Sequence, residues 1–142
     1  MRPVPIRRRF ADWPQRLAEV VEARRDQPFA WGQRDCGMWA ADVTVALAGW
    51  DPLAAWRGAY DSEAALEAIL GAEGLEAFLD RLLAAQGVEA CDPAFAARGD
   101  WCLILAGNQP MLGVVVGETI AVTGLDGLRF VPRQMALRAW AM

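Results

Sequence analysis

The residues best placed for chemistry are Asp35 and Cys36, in the run Pro28-Phe29-Ala30-Trp31-Gly32-Gln33-Arg34-Asp35-Cys36-Gly37. The run reads as a loop that tightens at Gly32, caps a helix with Asp35 and begins that helix at Cys36. A cysteine in the first turn of a helix faces unpaired N–H groups and the positive end of the helix dipole. Both lower a thiol pKa and favour a nucleophilic thiolate. The structural alternative is a packed cysteine beside an ordinary N-cap, and Asp35 itself pushes the thiol the other way by like-charge repulsion.

A thiol nucleophile needs a base, and the chain contains no histidine. The usual partner of a catalytic cysteine is therefore absent, as is a leading metal ligand. Cys36, Cys91 and Cys102 are odd in number and lack a C-x-x-C spacing, which argues against a zinc ribbon or a disulfide framework. No cofactor motif is present: Gly32 and Gly37 are not followed by the lysine of a phosphate loop, and no acidic pair has the spacing of a metal site or carboxylate dyad.

Composition sets the frame around this site. A chain of 142 residues that is 55% hydrophobic forms one domain with a real core. There is no secretory signal pattern and no apolar run of membrane-spanning length, so the expected place of synthesis is a bacterial cytoplasm. All 14 basic residues are Arg, and four of them fall in residues 1–9 with no acid among them. Residues 1–11 are thus expected to be a basic, solvated arm on an acidic domain, 12–142. That body repels phosphate, so nucleic acid is an unlikely partner for Arg7, Arg8 and Arg9, while a protein partner stays open.

The elements that must hold Cys36 follow from periodicity. Asp12 with Pro14 starts a first helix whose Trp13, Leu17, Val20 and Val21 share one face. The second helix, from Cys36 to about Leu47, carries only Asp42 as charge and should be central and nearly buried. Ser62 caps a third helix to about Leu70, and a fourth runs from about Leu75 to Ala85. Short apolar runs follow at 101–105, 111–116, 119–122 and 128–131, separated by glycine turns, with 139–141 closing the sheet. Helices first and an antiparallel meander second make an α+β domain. Of the seven Trp, three sit on predicted core faces (Trp13, Trp39, Trp101). Trp50, Trp56 and Trp140 lie in connections or near the end and are read as candidates for a protein interface.

Two motifs in order, Trp31-Gly32 … Asp35-Cys36-Gly37 at a helix start and Arg98-Gly99-Asp100-Trp101 before a strand, are followed by Leu112-Gly113-Val114-Val115-Val116-Gly117. This order resembles the NlpC-type, papain-like cell-wall cysteine peptidases. It resembles more closely a small phage and prophage family within that group, encoded among tail genes. The shared segments there are Gly49-Trp50-Asp51-Pro52, Arg57-Gly58-Ala59-Tyr60 and Gly127-Leu128-Arg129-Phe130-Val131-Pro132. The resemblance implies a minimal papain-like fold, helices packed on an antiparallel sheet or half-barrel, with Cys36 at the nucleophile position. It also places Leu112 where the peptidases have their histidine, Ile120 or Ala121 where the orienting polar residue stands, and Phe29 where a tyrosine hydroxyl assists. The function implied is a non-catalytic tail-tip (baseplate or hub) component of a virion, with other tail proteins as partners. The alternative is a peptidoglycan cysteine hydrolase using Cys36 with an unconventional or partner-supplied base.

Overall fold

The computed structural model describes residues 1–142. Four α-helices precede most of the sheet: α1 (Trp13–Arg24), α2 (Cys36–Ala48), α3 (Glu63–Leu70) and α4 (Gly74–Ala85). Six strands follow: β1 (Ala90–Cys91), β2 (Trp101–Ala106), β3 (Gln109–Val115), β4 (Thr119–Gly124), β5 (Gly127–Pro132) and β6 (Arg138–Trp140). They form one antiparallel sheet in the order β1-β6-β2-β3-β4-β5. The α+β class and the meander β2–β5 are as expected. The last strand returns beside β2, and a two-residue β1 that periodicity does not reveal covers the outer edge of β6.

Helix α2 is the hub because its sequence leaves it no polar face. Met38, Trp39, Ala40, Ala41, Val43, Thr44 and Leu47 are all buried. It packs on the face of the sheet that presents Trp101, Leu103, Leu112, Val114, Ala121 and Trp140. Alternate strand residues, among them Cys102, Ile104, Val115, Ile120 and Val122, form a second, smaller core on the opposite face, as the two-residue period of a strand requires. The polar atoms this burial traps are satisfied across elements. The Trp39 indole N–H donates to the carbonyl of Ala121 at 3.0 Å, and that of Trp101 donates to Thr44 Oγ1 at 2.9 Å. Asp42 is tied to Arg24 and Arg57, and Gly49 ends the helix in the left-handed conformation.

The N-terminal arm corrects the sequence reading. Residues 1–11 are not a solvated tail. Arg2 donates to both oxygens of Asp100, at 2.6 and 2.7 Å, and Arg9 reaches Asp100 Oδ1 at 3.3 Å and the Arg98 carbonyl at 2.7 Å. Arg7 lies over the Trp50 ring at 3.8 Å and donates to the Gln86 carbonyl. Only Arg8 of the three candidate contact residues is exposed. Asp12 also departs from expectation. It occupies the N-cap position of α1, but its side chain makes no cap bond and instead accepts from Arg16, one turn along. That exposed pair holds the Asp12 carboxyl below its ordinary pKa.

Candidate functional site

Asp35 organises the site from within. The carboxylate is 1% exposed and accepts three hydrogen bonds: from Met38 N at 2.9 Å, Gly32 N at 2.7 Å and the Tyr60 hydroxyl at 2.7 Å. The first is the expected N-cap bond; the second closes the loop back on the helix start. Gly32 is required there, because its φ is +78° and a Cβ would stand 2.1 Å from the Tyr60 carbonyl oxygen. Tyr60, in the connection after α2, thus passes close against Gly32 with its backbone and binds Asp35 with its hydroxyl. Sequence analysis met Tyr60 only as the last residue of the shared segment Arg57-Gly58-Ala59-Tyr60, with no role for its hydroxyl. Being the only tyrosine in the chain, 25 positions from its acceptor, it left no local signal.

Cys36 begins α2 as expected and is half-buried. Its surroundings disfavour the thiolate. Burial pushes the pKa up to about 11; the backbone of Leu112 opposes this in part, and the neighbouring Asp35 charge adds to it. At that value about one thiol in ten thousand is ionised at pH 7. The helix terminus, which favours a thiolate in principle, loses here to desolvation. Burial, joined by the hydrogen bond to the Asp35 carboxylate, likewise raises the pKa of the Tyr60 phenol, so it remains a donor to Asp35.

The residue facing the thiol from the sheet is Leu112, on β3 and 0% exposed. Leu112 and Cys36 line the same groove, and the backbone of Leu112 lies against the thiol. Ile120 and Ala121, both fully buried, offer no polar side chain. Phe29 packs edge-on against Trp31, with ring centres 4.8 Å apart. The carboxylate next to Cys36 in sequence, Asp35, is engaged by three donors.

The groove itself is large, with a volume of about 460 Å³. Its floor is Cys36, Met38, Leu112 and Leu79; its sides come from α3 (Leu66, Ile69, Leu70), from Leu75 and Phe78 of α4, and from Trp56. The α3 and α4 walls escaped sequence reading as site residues, because their spacing is that of any helix facing a core. In fact α3 has no fully buried residue: its apolar face is turned to the groove.

Of the aromatics proposed for a partner surface, Trp140 is a correction. It is 1% exposed, paired in register with Trp101 between β6 and β2, and its indole N–H donates to Asp80. A position near the end of the sequence was a poor guide, because β6 is an inner strand. Trp50 is half-buried beneath Arg7. Trp56 packs edge-on against Phe78 at 5.4 Å and forms part of the groove wall. No group of three or more Cys, Asp or Glu side chains is placed to hold a metal ion, and no helix is long and apolar enough to cross a membrane.

Residues 8–142 match the family described as "Domain of unknown function (DUF6950)", and the chain belongs to it. A search of the curated proteins finds no match.

Proposed function

We propose, taking that family membership as the premise, that this chain is a non-catalytic binding and assembly protein. It keeps the groove of a papain-like, NlpC-type peptidase and has lost its chemistry. The observation that carries this reading is Leu112 set beside Cys36 in the floor of an apolar groove. A nucleophile position with a hydrocarbon in place of its base, and a thiol pKa of about 11, lacks both the proton acceptor and the acid for the leaving amine. The placement of α2 against β3 and β4, with the cysteine at its first turn, supports the papain-like assignment. The motif order shared with the tail-gene family supports the setting, a tail tip of a phage or prophage virion, with neighbouring tail proteins as partners. A peptidoglycan peptide would be at most a bound ligand in this scheme.

The test is a pair of assays on purified protein. Incubation with peptidoglycan is expected to release no muropeptides and to cause no fall in turbidity, while cross-linking in assembled particles is expected to join the chain to a tail protein. Turbidity loss that disappears in Cys36→Ala would overturn the reading in favour of a cysteine hydrolase.

A further inference from the structure

The groove beside Cys36 has a chemistry of its own that the lost catalysis does not explain. Its lining is mainly hydrocarbon and aromatic, yet every charged residue in it is acidic and none is basic. Asp35 already accepts hydrogen bonds from three internal donors. Glu63 and Glu67 are different: they lie one turn apart on α3, are exposed at the groove, and form no salt bridge. Trp31, Trp56 and Tyr60 also line the space, and aromatic side chains are favourable neighbours of cations. An anion entering here meets two unpaired carboxylates and no counter-charge.

Two further polar groups sit in the wall without partners. The Thr123 hydroxyl, on a residue 6% exposed, and the Trp56 indole N–H are both sealed from solvent and unbonded. Buried donors of this kind are destabilising unless something accepts from them. Both residues are among those that line the groove. A cavity of about 150 Å³ holds one benzene, so the groove has room for roughly 18 non-hydrogen atoms.

The geometry points to a small apolar monocation as the ligand of this groove: a hydrocarbon body in the cavity, an ammonium group at Glu63 and Glu67, and an amide-type carbonyl toward the wall donors. This rests on the reading that the groove binds without cutting. The experiment is calorimetric titration of the full chain with three probes that share one body. These are leucyl-leucinamide (cation), its N-acetyl derivative (neutral) and N-acetyl-leucyl-leucine (anion). The cation is expected to bind tightest and the anion at least tenfold more weakly. The double variant Glu63→Gln/Glu67→Gln, altered only at exposed positions, should bring the cation down about fivefold, to the level of the neutral probe, as expected for loss of two exposed charges. Equal binding of anion and cation, no saturable binding of any probe, or an unchanged cation affinity in the double variant would each overturn the inference. Binding followed by Cys36-dependent cleavage of the probe would uphold the ligand class and overturn the non-catalytic reading instead.

Discussion

Asp35 and Asp100 are the two buried carboxylates of the signature motifs, and they are held in opposite ways. Asp35, beside the thiol, is satisfied wholly by neutral donors, two backbone N–H groups and a phenol. Asp100, at 0% exposure, is held by the guanidinium groups of Arg2 and Arg9 together with the backbone N–H groups of Ala97 and Met142. The first keeps its charge next to Cys36 uncompensated, which helps to hold the thiol protonated. The second engages Arg2 and Arg9, two of the four Arg of the arm, in holding the fold. The difference teaches that a charged motif residue is understood by its counter-charge. Each closes a link distant in sequence: the connection at Tyr60 to the helix start at Asp35, and both chain ends to the sheet at Asp100.

Two substitutions distinguish a carboxylate held by ion pairs from one held by neutral donors. Asp100→Ala strands Arg2 and Arg9, one of them largely buried, and removes a partner from two backbone N–H groups. Breaking a buried pair from one side costs about 3–5 kcal/mol, so the thermal midpoint should fall by on the order of 10 °C. A loss under about 1 kcal/mol would mean that the arm is detached in solution and that its contacts with Asp100 are weak. Tyr60→Phe removes one donor of three from Asp35 and leaves the ring in place. A hydrogen bond to a charged group contributes about 2 kcal/mol, so denaturant unfolding should show a smaller loss than for Asp100→Ala. Equal losses would erase the distinction between a bracket made by neutral donors and one made by ion pairs.

Much of the fold was legible because it is encoded locally. Asp35 and Ser62 cap the helices that begin one residue after each, and Gly49 ends α2. The switch from helical to alternating periodicity after Gly87 marks the sheet, and the meander follows from its glycine turns. What was hidden depends on partners far away in sequence. Arg2 and Arg9 find Asp100 across 98 and 91 positions, so a run of Arg near the start reads as a tail until the acceptor is located. Trp140 becomes core only because β6 inserts beside β2. Tyr60 and Thr123 each carry a single polar atom whose meaning depends on what stands opposite. At the site, the sequence told the cysteine's position and the hydrocarbon at Leu112. It did not tell that burial would outweigh the helix terminus at the thiol, nor that α3 would wall a groove.

The central claim is that Cys36 is a protonated, unactivated thiol. The pH dependence of Cys36 alkylation by iodoacetamide in the folded chain, followed by peptide mass spectrometry, tests it most directly. With a pKa raised to about 11, the rate should be low at pH 7 and still climbing at pH 10. The sign carries over to stability: between pH 9.0 and about 11 the unfolded thiol ionises while the folded one keeps its proton, so the folded state loses stability as pH rises. A rate that has already levelled off below pH 7 would reveal an activated thiolate and contradict the account.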